Sequence, residues 1–317
     1  MRVLFVTPPS TARMYPLIPL AWALRSAGCL VHVASWSGFA PTINLTGLVA
    51  APLGDPVGEP DRLAGPAVVD AITGYAGRWR PDLVVWDRCA PAADVAARVV
   101  GAASVQMVPV PDRLDGSVAD VDWATQVPDA TLEPTPPSLR PAPVAGDLPI
   151  RHIPYHGPAI VPSWLRRRAR RSRVIARLDP ADARLGELFE AVDGLDLELV
   201  CAVPMRELPL GVRIPGNVRI LDATPGDALL RTCSALVHDG AAVADALAYG
   251  LPHLVPDGTA GAELGKRILQ LTADPAVREE AERLRVEVLA MPGPEALVSV
   301  LTDLAGGRDR GRGRHPG

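Results

Sequence analysis

Short apolar runs of strand length alternate with helix-patterned stretches along most of this 317-residue chain, and no other feature constrains its fold so tightly. Arg2–Thr7 is a mostly apolar run suited to a strand buried on both faces of a parallel sheet. Pro8, Pro9 and Ser10 force a loop. Leu17, Leu20, Ala21 and Leu24 then recur with helical spacing, giving one apolar stripe that Gly28 stops. Leu30–Ser35 returns as a strand, and the unit repeats: helix Val68–Arg78, strand Leu83–Trp86, helix Ala92–Val100, strand Ala103–Val108. Strands that alternate with helices at this spacing predict a parallel, doubly wound α/β sheet.

From Pro109 to Trp164 the pattern dissolves. Pro134, Pro136, Pro137, Pro141 and Pro143 disfavour helix and predict an extended connection. A second series follows, with strand Val174–Arg177, helix Ala183–Ala191, strand Leu197–Val203, strand Val218–Leu221 and helix Asp227–Cys233. It continues through strand Ala235–Val237, helix Ala241–Tyr249 and strand His253–Val255, with helices near Ala276–Leu289 and Glu295–Leu304. The expected organisation is a Rossmann-like domain over 1–145, a proline-rich linker over 146–172, a second Rossmann-like domain over 173–306 and a disordered tail over 307–317. Two such domains are expected to face a cleft, with the strand carboxyl ends and their loops turned toward it.

Composition narrows the classes. A net charge of −4 and a pI near 5.9 argue against a nucleic-acid partner, which needs a basic field. No apolar run approaches the length of a membrane span and MRVLFVTPPS lacks a signal-peptide core, so a cytoplasmic protein without membrane contact is expected. Cys29, Cys89, Cys201 and Cys233 have neither zinc-type spacing nor tight pairing, and no motif calls for a metal or another cofactor. A single lysine, Lys266, among many arginines and alanines suggests a high-GC bacterial genome.

Three segments together carry a family likeness. The start, MRVLFVTPPSTARMYPLIPLAWALRSAGCLVHVAS, the stretch LEPTPPSLRP with IPYHGPAIVPSWL, and IPGNVRILDATPGDALLRTCSALVHDGAAVADALAYGLPHLVPDG resemble the glycosyltransferases that decorate macrolide and aromatic polyketide antibiotics. Those are two-domain GT-B proteins that use nucleotide-activated sugars. The resemblance implies a GT-B fold with an acceptor-binding N-terminal domain, and a C-terminal domain carrying a degenerate nucleotide-sugar motif in a chain shorter than its relatives.

Inverting sugar transfer needs a general base on the acceptor hydroxyl. The family places a histidine after the first strand, and alignment through LIPLAWAL puts Arg13 there. A guanidinium accepts no proton at physiological pH, so Arg13 reads either as an anion or carbonyl clamp or as an exposed arginine in a vacated position. The family's His-Gly-Gly turn, which meets the diphosphate, reads Val237, His238, Asp239, Gly240 here, so that Asp239 takes the phosphate-facing place. A carboxylate about 4 Å from a phosphate charge costs roughly 4 kcal/mol at an effective dielectric near 20. Asp239 also reads as a helix N-cap, and His238 as a core-facing remnant. Arg177-Leu178-Asp179-Pro180 replaces a small-residue turn, and the polar loop expected after LVPDG is missing.

The acceptor half is better kept. Met14, Tyr15, Trp36, Trp86 and Tyr155 would edge an apolar pocket, although Met14 and Trp36 also read as core. Asp87, at a strand end, and His156 are candidate acids or bases, each with a structural alternative as a cap or an incidental loop residue. Arg166, Arg167, Arg168, Arg170, Arg171 and Arg173 form a basic cluster, read as a solvated face or a dock for an acidic partner. The contrast predicts a GT-B protein that has lost nucleotide-sugar transfer. It would instead bind a hydrophobic, polyketide-like small molecule and convert it by cyclisation, dehydration or rearrangement, with Asp87, Asp239, His156 and Arg13 as the catalytic groups and Met14, Tyr15, Trp36, Trp86, Tyr155 and His238 as the binding groups. Two alternatives stand beside it: a noncatalytic partner of a pathway enzyme, or a homodimer in that role, and an active transferase moving a deoxysugar to a polyketide aglycone.

Overall fold

The computed structural model describes the chain except residues 57–61, 111–126, 141–145, 168, 180–183, 223–225, 259–260 and 313–317. It forms two compact units, Met1–Gly157 with Ala290–Gly317, and Pro158–Leu289.

The first unit is built on a seven-stranded sheet: β1 (Arg2–Val6), β2 (Leu30–Ser35), β3 (Val49–Pro52), β4 (Leu83–Asp87), β5 (Ala103–Met107), β6 (Ala130–Glu133) and β7 (Asp147–Pro149). The strand order is β3-β2-β1-β4-β5-β6-β7 and every neighbouring pair is parallel. Strand side chains alternate between faces, so β1 feeds two cores. Val3 and Phe5 join Leu17, Leu20, Leu24 and Val105 on one side. Leu4 and Val6 join Ile72, Val84, Trp86, Ala93 and Ala97 on the other. The helix Ile18–Ser26 buries Leu20, Ala21 and Leu24, as its spacing predicts, and stops where Gly28 takes φ +87 so that the Cys29 N–H returns to the Leu24 carbonyl.

The second unit carries a five-stranded sheet of β8 (Ser172–Arg177), β9 (Leu197–Cys201), β10 (Val218–Ile220), β11 (Ala235–His238) and β12 (His253–Leu254). Its order is β10-β9-β8-β11-β12, again all parallel. The helices Arg184–Val192 and Gly261–Ala273 cover one face with Leu185, Leu188, Phe189, Leu264 and Ile268. They meet so closely that a Cβ on Gly265 would lie 2.4 Å from the Ala191 carbonyl oxygen, which explains a glycine at that point.

Three expectations change. The stretch Pro109–Trp164 was expected to be extended and without regular elements, yet β6 and β7 lie within it, β7 inside the linker expected over 146–172, and they extend the first sheet by two strands. Strands of three or four residues beside Pro128, Pro134 and Pro149 leave too short an alternation to read, and edge positions tolerate proline. The domain expected over 173–306 loses its last helix to the first unit, because Leu297, Leu301 and Ala305 of the helix Leu297–Arg312 pack into the core beside Val3 and Phe5. The tail expected to be disordered from 307 continues that helix to Arg312, and 313–317 lie outside the described residues.

By length and composition Pro275–Gly307 could cross a membrane, its most apolar 18-residue window having a mean hydropathy of 1.3. It is instead two helices, Pro275–Ala290 and Leu297–Arg312, separated by a turn, and packing of the second against the first unit's core accounts for its apolar side chains.

Two members of the basic cluster are held in ion pairs. Arg173 is buried, donates to Glu198 at 2.7 Å and to Thr232 at 2.6 Å, and stacks with Arg219 against Trp164. Arg171 pairs with Asp196 at 3.0 Å. Arg168 lies outside the described residues.

Candidate functional site

In an open parallel sheet, ligands bind beyond the carboxyl ends of the strands where the strand order reverses. The first sheet reverses between β1 and β4, and the second between β8 and β11. These two edges hold most of the residues singled out from sequence.

At the first edge Arg13, in the short helix after β1, places its guanidinium 4.0 Å from the Asp87 carboxylate at the end of β4. The Asp87 side chain is fully buried, whereas 30% of the Arg13 side chain is exposed. Asp87 Oδ1 accepts the Cys89 N–H at 2.8 Å, so the carboxylate is held by the turn that starts the next helix as well as facing a charge. The capping role expected of Asp87 is met by this turn contact, and Arg13 is an ion partner that no local sequence pattern indicates. Trp86 points to the opposite face, where its indole N–H donates to Ser104 Oγ at 2.9 Å. Ser104 Oγ donates to Asp94, which also takes Arg98 at 3.0 Å, a network that locks the end of β4.

Tyr15 and Tyr155 come together edge to face with ring centres 4.9 Å apart, and Trp22 meets Tyr155 at 4.9 Å. Burial raises the pKa of both tyrosines, and for Tyr155 the neighbouring Tyr15 adds to it. Gly157 lies directly under the Tyr15 hydroxyl, where a Cβ would come within 2.4 Å. His156 is half-buried between these two residues. Met14 is fully buried among Leu17 and Ile18, and Trp36 is 2% exposed among Leu4, Val6 and Trp86. Both fill the core, and neither presents surface to a ligand. Two buried hydroxyls near this rim, Ser35 Oγ at the end of β2 and Thr135 Oγ1 just past β6, have no hydrogen-bond partner.

At the second edge His238 is wholly buried. Its Nδ1 accepts the Gly240 N–H at 2.9 Å, and its Nε2 lies 3.0 Å from His253 Nδ1. The acceptor role leaves Nδ1 without a proton, so Nε2–H donates to His253 in a neutral pair. Burial, the neighbouring His253 and then Arg177 push the pKa of His238 down to about 3, and burial lowers that of His253. With both nitrogens engaged, His238 is a structural pin and does not reach a ligand. Gly240 takes φ +111, which this turn requires. Asp239 is exposed, and its carboxylate accepts the Ala241 N–H at 3.0 Å. The helix that follows starts at Val243 with Ala242 as N-cap, so Asp239 makes an Asx turn and is not the N-cap the sequence suggested. Beside it Arg177, at the end of β8, forms an ion pair with Asp245. Asp179 was the charge expected at this edge; the Arg177–Asp245 pair was not, and its one local signal is a charged residue ending an apolar strand. Among the described residues no group of three or more His, Cys, Asp or Glu side chains could hold a metal ion.

The arrangement has known counterparts. The Erythromycin biosynthesis protein CIII-like family matches through its N-terminal domain at residues 106–178 and its C-terminal domain at 186–263. An L-demethylnoviosyl transferase of Streptomyces niveus is 31% identical over 80% of this chain and 79% of its own length. The chain belongs to the antibiotic glycosyltransferase family. The Aclacinomycin-T 2-deoxy-L-fucose transferase of Streptomyces galilaeus is 28% identical over 99% of this chain and 98% of its own. That alignment runs over 432 residues against 317 here, so internal segments of the glycosyltransferase have no counterpart in this chain. Among solved structures the Spinosyn Forosaminyltransferase SpnP superposes with a TM-score of 0.81 at 27% identity, covering 96% of this chain and 99% of the other. The fold is GT-B with a reduced C-terminal domain, in which only six residues separate the end of β12 from the helix Gly261–Ala273.

Proposed function

We infer that the chain is a glycosyltransferase of polyketide antibiotic biosynthesis that moves a deoxysugar from a nucleoside diphosphate donor to a polyketide aglycone. The observation that carries this reading is the likeness to named antibiotic sugar transferases over 80–99% of the chain, at 26–31% identity. Its geometry is compatible: the sheet of each unit keeps a reversal point with charged strand-end residues, Arg13 and Asp87 in one and Arg177 and Asp245 in the other. The acceptor belongs with the first unit, which carries the Arg13–Asp87 pair and an aromatic group of Tyr15, Trp22 and Tyr155. A polyketide, apolar over most of its surface with a few oxygens, matches that mix.

A second reading, that the chain binds and converts such a molecule without transferring sugar, is favoured by one observation. Asp239 adds a negative charge to the donor turn and its carboxylate already takes the Ala241 N–H that a phosphate would use. Incubation of the purified chain with a thymidine-diphosphate deoxyhexose and a panel of anthracyclinone and macrolactone aglycones, followed by mass spectrometry, separates the two. Transfer gives a product heavier by one deoxyhexose residue. Conversion at unchanged or water-deficient mass, with no sugar gained on any aglycone, overturns the first reading in favour of the second.

A further inference from the structure

We propose that the arginine-rich stretch opening the second unit, with Ile160 and Val161 just before it, is a peripheral docking surface for an anionic lipid bilayer. The inference goes beyond the transfer reading above and does not depend on it.

Six arginines and no acidic residue fall between Leu165 and Val174. What they touch divides them. Arg173 is buried against Glu198 and Thr232, and Arg171 pairs with Asp196. Glu198 takes Arg219 as well, at 3.1 Å, so the carboxylates paired with this stretch already have their cations. The side chains of Arg166, Arg167 and Arg170 are exposed and enter no ion pair or hydrogen bond among the described residues. The backbone that carries them is anchored. Leu165 is buried in the core that holds Leu229, Leu230 and Leu236, and Trp164 packs against that core. The Arg173 and Arg219 guanidiniums lie over the Trp164 ring, 4.9 and 4.4 Å from its centre. Three like charges within five residues repel one another and make no internal contact, so packing gives no account of them.

The neighbouring residues select the kind of anion. A single-stranded nucleic acid needs aromatic platforms for its bases, and the one aromatic ring of this stretch, Trp164, already has two guanidiniums over it. Ile160 is 88% exposed and Val161 is exposed beside it in sequence. They precede Arg166 by so few residues that each lies within about 20 Å of it. A bilayer interface takes up this pairing: aliphatic side chains enter the acyl boundary while guanidiniums meet lipid phosphates, whose geometry their fork matches. Such a contact is peripheral and needs no spanning helix. Each arginine at an anionic surface raises partitioning about fivefold, so the three together supply about a hundredfold. A largely apolar polyketide dissolves in the same bilayer, so docking brings the chain to its concentrated acceptor; that consequence, unlike the docking, rests on the transfer reading.

Co-sedimentation of the full chain with vesicles tests this without donor or acceptor. One set is made of equal parts phosphatidylglycerol and phosphatidylcholine, the other of phosphatidylcholine alone. The chain should bind the anionic set, lose that binding as salt rises, and leave the neutral set alone. Arg166→Gln, Arg167→Gln and Arg170→Gln combined should weaken binding by about a hundredfold. The thermal unfolding of that variant should be unchanged, since these side chains make no internal hydrogen bond or ion pair. Arg78→Gln, Arg206→Gln and Arg213→Gln combined remove the same charge from exposed positions elsewhere and should bind as the unaltered chain does. Ile160→Ser should weaken binding by about tenfold, the loss of one buried aliphatic side chain. No binding of the unaltered chain to anionic vesicles at low salt, a result that needs no variant, overturns the proposal, and so does equal binding to the neutral set. An equal loss in the control variant overturns it too, because net charge alone would then be responsible. Tighter binding to polyuridylate than to the vesicles, or an Ile160→Ser variant that binds them undiminished, would overturn the bilayer in favour of an anionic polymer.

Discussion

Replacing Asp239 by Asn isolates the electrostatic cost at the donor turn, because the amide oxygen can still accept the Ala241 N–H while the charge disappears. Two charges about 4 Å apart interact by roughly 4 kcal/mol at an effective dielectric of 20 and by about 1 kcal/mol in bulk water. Asp239 is exposed at the turn, so the structure moves the figure toward the watery limit. Allowing for the further phosphate charge, which is partly screened beyond a Debye length of about 8 Å, the variant should gain about 1–2 kcal/mol. That is roughly 5- to 30-fold in affinity. Titration calorimetry with thymidine diphosphate at low and at physiological ionic strength reads it, and the gain should shrink as salt rises. Thermal unfolding should be unchanged, since the turn keeps its acceptor. Equal affinity of both proteins at low salt would refute the reasoning, because a repulsive carboxylate cannot be neutral in its effect where screening is weakest. Absence of binding by either protein would refute the donor assignment of this turn.

Two further outcomes follow from the packing. Between about pH 3 and 6.5 the folded chain keeps His238 unprotonated while the unfolded chain protonates it. This contribution to stability is therefore complete above pH 6.5 and lost as pH falls through that window, at up to about 1.4 kcal/mol per pH unit. His238→Asn should flatten that stretch of a urea-midpoint profile, and an unaltered slope would contradict the neutral His238–His253 pair. Leu301→Ala should lower stability by about 2–5 kcal/mol in urea unfolding, since the side chain is fully buried in the first unit's core; a loss well under 1 kcal/mol would mean that the C-terminal helix does not dock there.

The family fold was legible in the chain because its signals are local. The β1–helix–β2 start, the βα repeats after it and the parallel character of both sheets follow from apolar runs and helical spacing within windows of ten to twenty residues. Many helix and strand ends shifted by a residue or two, as with Val68–Arg78 against the observed Pro66–Trp79, whereas the helix expected to end at Cys233 stops at Leu230 and the one expected to end at Leu304 runs to Arg312.

What the tertiary structure decided are relations between residues far apart in sequence. No pattern around Asp87 names Arg13 as its partner, nor does anything beside His238 point to His253, because each pair is made by strand order rather than by spacing. Burial likewise removed Met14, Trp36 and His238 from the ligand-facing set, since a side chain at the end of an element looks the same in sequence whether it turns inward or outward. The return of Leu297, Leu301 and Ala305 to the first unit joins the chain's last helix to its first strand. Sequence reveals that such a helix has an apolar face; only the folded arrangement shows which core has room for it.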